Sequence, residues 1–190
     1  MSNLCQEITL PTKPLEHIDD EQGEIALCIL SAINVGVLKE LDDLEELCDL
    51  AVRALEEIID YQKYPIKAAE ISTKARRSLG VGYIGLAHYL ARNKVNYSDP
   101  KAWKLVHDLS EAFQYYLLKA SNALAQERGA CEYYNRTKYS DGILPIDTYK
   151  ADVDTIVENK LNYDWKALRV QIREHGLRPV SYTHLTLPTN

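Results

Sequence analysis

The apolar residues of this chain change spacing several times, and each spacing predicts a different element. Residues 24–38, from Glu24 to Leu38, are nearly continuously apolar and are broken by Gly36. Such a run fits a fully buried strand over about residues 24–35, although a buried helix has the same pattern. From residue 42 onward the apolar positions stand mostly three or four apart, at Leu44, Leu47, Cys48, Ala51, Leu55, Ile58 and Ile59. That is one face of a helix over residues 42–60. Asp42 and Asp43 stand at its front, where a capping carboxylate and the helix dipole favour them. Pro65 opens a weaker helical stretch to about residue 75.

A glycine-spaced segment, Gly80, Gly82 and Gly85, leads into a helix predicted over residues 83–93. The longest helix is predicted over residues 100–128, with Ser98 as cap, Pro100 in the first turn and Gly129 at the end. Its apolar stripe runs through Trp103, Val106, Leu109, Phe113, Tyr116, Leu117, Ala120 and Leu124. Residues 130–149 are aromatic and irregular, a short helix is expected over about 151–158, and Asp164 precedes a last helix over about 164–174. The start, with Thr9, Pro11, Thr12 and Pro14, reads as a loop or short extended piece. Residues 179–190 are rich in Thr, Leu and Pro, resemble translated adaptor sequence, and are set apart from the fold as a non-native tail.

Composition narrows the class. With 190 residues, 46% hydrophobic and 26% charged, the chain suits one globular domain with a real core. The net charge of −6 argues against a nucleic-acid partner, since phosphate backbones need clustered cations. No apolar run approaches the roughly 18 residues that cross a bilayer. Residues 1–7 also lack the basic start and apolar stretch of a secretory signal, so no membrane association and a cytoplasmic location are expected.

Four cysteines, Cys5, Cys28, Cys48 and Cys131, include no closely spaced pair, so neither structural zinc nor structural disulfides are expected. Cys48 and Cys131 suit small buried hydrophobes. Two other patterns carry chemistry. Gly80, Gly82 and Gly85 match the spacing of a dinucleotide-binding turn, but the residues before Gly80 are basic where that turn requires a hydrophobic strand. Close packing between a strand or turn and the next helix is the favoured reading there. In an extended segment Asn3, Cys5 and Glu7 share one face. A carboxylate there can act as base, an amide can orient hydroxyls, and a thiol can act as nucleophile or hydrogen-atom donor. No nearby cation lowers the thiol pKa, which points away from thiolate chemistry and leaves one-electron chemistry open.

These residues and others in order resemble a family. Ser2-Asn3-Leu4-Cys5, with Glu7 and Ile8, followed by Gly23-Glu24-Ile25-Ala26-Leu27-Cys28, is similar to the finger loop and next barrel strand of the class I ribonucleotide reductase large subunit, of bacterial aerobic type. The likeness continues through Arg76-Arg77-Ser78-Leu79-Gly80-Val81-Gly82, Gln114–Asn122, Gly142–Tyr149 and His175-Gly176-Leu177-Arg178, covering roughly residues 2–178.

The resemblance implies a piece of a ten-stranded α/β barrel, mostly helical here, with the finger loop at residues 2–9. It implies reduction of ribonucleoside diphosphates to deoxyribonucleoside diphosphates. Cys5 would be the thiyl radical that removes the ribose 3′ hydrogen, Glu7 the base for the 3′ hydroxyl, and Asn3 a hydrogen bond to the sugar. Cys28 would be one half of a redox disulfide whose partner cysteine lies outside this sequence, and Leu30 would contact substrate. Implied partners are a radical-generating small subunit with a di-iron or related metal centre, and thioredoxin or glutaredoxin as reductant. Nucleoside triphosphates would act as allosteric effectors, and no cofactor is expected on this segment itself. The family's phosphate-binding loop, its paired tyrosines and its allosteric regions are not in this sequence, so the segment alone is expected to be inactive. Two rival readings are a nucleotide-cofactor enzyme built on Gly80, Gly82 and Gly85, and a non-catalytic helical interaction module.

Overall fold

The computed structural model describes residues 10–156 and 160–179. Two strands, β1 (Ile29–Asn34) and β2 (Leu79–Ile84), pair in parallel, with Ile29 opposite Leu79 and Asn34 opposite Ile84. Parallel neighbours require a long crossover. Here it contains α1 (Asp43–Tyr61) and α2 (Lys67–Arg76). Ile33, Leu79 and Val81 enter the main core, whereas Leu30 and Ala32 are exposed.

The strand is therefore shorter and less buried than the apolar run predicts. Residues 24–28 stay out of the β1–β2 ladder because their backbone bonds go elsewhere. Glu24 exchanges both its amide and carbonyl bonds with Lys13, and the Ile25 amide donates to the Ala68 carbonyl.

Helix α1 buries Leu44, Cys48, Val52, Leu55 and Ile59, leaving Leu47 and Ile58 on the exposed side of the predicted stripe. Asp43 receives the amides of Lys39 and Glu40 at 3.1 and 3.2 Å. The Asp42 carboxylate is spent differently, accepting the Tyr116 hydroxyl at 3.1 Å from a helix distant in sequence. The expected Asp42 cap is thus replaced by a tertiary contact.

Helix α3 (Leu86–Arg92) is shorter than predicted, because β2 continues through Tyr83 and Ile84. Gly85 makes the turn with φ of +81°, and its open α-carbon leaves room for the Asn34 carboxamide, which accepts the Gly36 amide at 3.1 Å. A side chain at Gly85 would occupy that room.

The long helix α4 (Pro100–Arg128) has the predicted bounds, but Asp99, not Ser98, caps it by accepting the Lys101 amide at 2.8 Å. It packs along α1 and buries Leu109, Phe113, Tyr116, Leu117, Ala120 and Leu124. Trp103 stays 40% exposed because the contact with α1 starts after the helix's first turns. The other side of α4 contributes Leu118 to a second cluster with Leu144, Trp165, Leu168, Ile172 and Leu177. That cluster is carried by α5 (Trp165–His175), capped as predicted by Asp164, which accepts the Ala167 amide at 2.9 Å. Each fully buried leucine contributes about 1.5–3 kcal/mol, so α4 ties two cores together.

The short helix expected over 151–158 is a 3-10 turn at Ala151–Thr155, with residues 157–159 outside the described set. Pro179, set apart with the tail by sequence, is buried and its carbonyl accepts the Ser121 hydroxyl at 2.7 Å. Among the described residues no helix is long and apolar enough to cross a membrane.

Candidate functional site

The trio Asn3, Cys5 and Glu7 lies outside the described residues. Cys28 and Leu30 are described. Cys28 is partly buried immediately before β1, its sulfur 3.8 Å from the Ile29 carbonyl. Leu30 lies on β1, 47% exposed, opposite Gly80, and Ala32 stands opposite Gly82. The twofold strand period turns Leu30 and Ala32 away from the core that holds Leu79 and Val81. Cys28 stands one step before that series.

Gly80 and Gly82 thereby acquire a specific role. Both lie within the β2 ladder rather than in a turn between strand and helix, so the dinucleotide-binding geometry is not formed. Glycine in a strand leaves the backbone bare for close approach by another chain or a ligand. Here Gly80 and Gly82, both buried, stand in register with Leu30 and Ala32.

The segment that presents Cys28 is held at both ends. At one end the Ile29 amide donates to the Ser78 carbonyl at 3.3 Å. At the other the Glu24 carboxylate receives the Arg76 guanidinium at 2.5 Å, both side chains being mostly buried. The Tyr133 ring lies beneath two guanidiniums, Arg76 at 4.9 Å and Arg136 at 3.6 Å from its centroid. Beside this stack is a cavity of about 380 Å³, lined among others by Leu10, Arg76, Ser78, Tyr133, Arg136 and Lys138. Arg136 also faces Glu24, at 3.7 Å, so one carboxylate serves two of the three cations there.

The remaining described thiols are of another kind. Burial pushes the Cys48 thiol up to about 12 and the Cys131 thiol up to about 11, in keeping with their reading as small hydrophobes. His107, Asp108 and Glu111 lie close enough together to hold a metal. Their oxygens are already engaged, however: Asp108 pairs with Lys104, and Glu111 accepts from the Asn162 amide, the Tyr163 amide and the Trp165 indole.

Sequence reasoning missed the ion pairs around Arg76 and Arg77, which it read only as basic residues ahead of a glycine turn. Glu24 and Arg76 are 52 positions apart, and nothing local couples them. The signal available was two adjacent arginines beside the expected strand or turn at Gly80 and Gly82, where buried cations require partners.

The model of the ribonucleotide reductase barrel domain matches residues 1–190. The ribonucleoside-diphosphate reductase subunit alpha of Haemophilus influenzae is 61% identical over 184 residues, covering 97% of this chain and 24% of that protein. Subunit alpha of ribonucleoside-diphosphate reductase 1 from Escherichia coli K12 is 60% identical over 177 residues, covering 93% of this chain and 23% of its own length. The corresponding protein of Enterobacteria phage T4 is 44% identical over 179 residues, with 93% and 23% covered. The chain thus spans about a quarter of the length of the curated relatives it matches.

Proposed function

The chain belongs to the ribonucleotide reductase barrel domain family, and from that premise we propose that it forms part of the catalytic subunit of a class I ribonucleoside-diphosphate reductase. In this reading the sheet is a section of a ten-stranded barrel, and the face bearing Leu30 and Ala32 is turned toward the substrate. The parent enzyme converts ribonucleoside diphosphates to deoxyribonucleoside diphosphates in the cytoplasm. The 190-residue segment alone does not turn over.

The roles follow from the chemistry of the side chains. Cys5, as a thiyl radical, takes the hydrogen atom from the ribose 3′ carbon and becomes a thiol. Glu7 accepts the 3′ hydroxyl proton, and Asn3 holds the sugar by hydrogen bonds. The 2′ hydroxyl leaves as water. Cys28 and a second cysteine beyond this sequence supply two electrons and two protons and end as a disulfide. Cys5 then returns its hydrogen to the 3′ carbon and is again a thiyl. A thioredoxin or glutaredoxin restores the dithiol. The metal-bearing small subunit supplies the initial oxidising equivalent, and nucleoside triphosphates regulate the parent protein.

The observation that carries this reading is the placement of Cys28, partly buried, immediately before β1 and two residues before the exposed Leu30. Cys48 and Cys131, by contrast, are buried with raised pKa values and suit no redox role. The test is made in the complete subunit with its small subunit. Cys28→Ser is expected to stop sustained deoxynucleotide formation while 3′ hydrogen exchange persists, and Cys5→Ser is expected to stop both. Sustained turnover by either variant would rule the assignment out.

A further inference from the structure

We infer that Glu24 and Arg76 are a positioning pair for Cys28, setting where its thiol stands relative to the segment that follows Cys5. The inference rests on the redox reading of Cys28 for its functional meaning, while its geometry stands by itself.

Several contacts converge on Glu24, among them Arg136 at 3.7 Å and the Tyr133 hydroxyl at 3.5 Å. Its carboxylate receives Arg76 at 2.5 Å, with side-chain exposures of only 13% and 14%. Its amide and carbonyl exchange hydrogen bonds with Lys13 at 3.0 and 3.1 Å. Along the sequence, Lys13 lies eight positions after Cys5, and Glu24 lies four before Cys28. The bridge therefore joins the chain leaving the Asn3–Cys5–Glu7 stretch to the chain entering Cys28.

Arg76 acts at the other side of the same junction. It ends α2, two residues before Ser78, whose carbonyl holds the Ile29 amide. The span from Glu24 to Ile29 is thus fixed at its first residue by the Arg76 side chain and at its last by the backbone two residues further on. Arg76 has few alternatives. Its buried Nε makes no hydrogen bond, and its guanidinium otherwise lies over Tyr133. Removing Glu24 leaves the Arg76 charge uncompensated, and removing Arg76 leaves Glu24 only the longer contact with Arg136 at 3.7 Å, so the span would shift rather than retain its geometry.

A purely structural pair would stabilise the whole core, whereas a positioning pair acts on Cys28 selectively. In this chain the rates of alkylation by iodoacetamide at Cys28, Cys48 and Cys131, read by mass spectrometry, separate the two. Glu24→Gln and Arg76→Gln are expected to raise the Cys28 rate about fivefold or more, leaving Cys48 and Cys131 within about twofold, because only the local span opens. Arg76→Lys, which keeps the charge, should restore most of the protection. An unchanged Cys28 rate would overturn the inference. So would a parallel rise at all three thiols, which is what general destabilisation produces. In the complete subunit the same variants should lower kcat with little change in KM, and an unaltered kcat would count against the inference equally. If Cys28→Ser left turnover intact, the redox reading would fail on its own, and the thiol rates would still decide the geometric role of the pair.

Discussion

Arg77 lies with its Nε 2.6 Å from Glu56 Oε1, and the carboxylate of Glu56 has no exposed surface at all. Arg77 reaches it from the left-handed end of α2, at φ of +51°, and its terminal nitrogens continue to Asp60 at 2.7 and 3.1 Å. Arg178, from the far end of the described chain, places its Nε 2.5 Å from the same Glu56 oxygen. One buried carboxylate therefore joins α1, the turn into β2 and the segment after α5.

Glu56→Ala should accordingly be costly. It removes the common partner of two guanidiniums, of which Arg77 is nearly buried. Breaking a buried pair from one side costs about 3–5 kcal/mol, and urea unfolding monitored by circular dichroism should show a loss of that order. A loss below about 1 kcal/mol, the range of exposed pairs, would mean that the cluster contributes as little as a surface ion pair.

Acid should weaken the same region. The Arg77 guanidinium beside Asp60 holds its carboxyl below the usual carboxylate range. A depressed folded-state value means that the stabilisation is complete above the unfolded value of roughly 3.9 and is lost as pH falls through the lower, folded value. Asp60→Asn should therefore be less stable than the unaltered chain at neutral pH, and the difference should close as the medium is acidified below about pH 4. A stability gap that stays constant across that range would contradict the assignment.

The thiols should react in a definite order. With Cys48 pushed up to about 12 and Cys131 up to about 11, only roughly one part in ten thousand and one in a thousand are thiolate at pH 8. Both are also buried, whereas Cys28 is partly exposed. Timed labelling of the folded chain should modify Cys28 well before the other two. Labelling of Cys48 or Cys131 first would show that the core opens more readily than the edge of β1.

Gly85 and Asn34 should couple energetically. At φ of +81° a side chain is strained, and its first carbon would meet the Asn34 carboxamide oxygen. Gly85→Ala should cost about 1–3 kcal/mol, and part of that cost should disappear in an Asn34→Ala background, where the obstructing oxygen is gone. Strict additivity in the double-mutant cycle would place the entire effect in the backbone.

Much of the fold was legible in local pattern, and the reason is physical. Pro100, Gly129 and Asp164 mark helix ends because each satisfies or removes a backbone group within its own turn. The burial of Cys48 and Leu117 follows from a period that any one helix must obey. The ordered motifs around Cys5, Cys28 and Gly80 likewise pointed to the family without reference to the fold.

Other features were decided only in three dimensions. Asp42 surrendered its expected cap to Tyr116, 74 positions away, and β1 began late because Glu24 and Ile25 found backbone partners on Lys13 and Ala68. Arg76 with Glu24 and Arg178 with Glu56 are separated by 52 and 122 positions. Periodicity reports only which side of an element avoids water. Which buried charge meets which depends on how finished elements pack, and it is that packing which holds Cys28 in place.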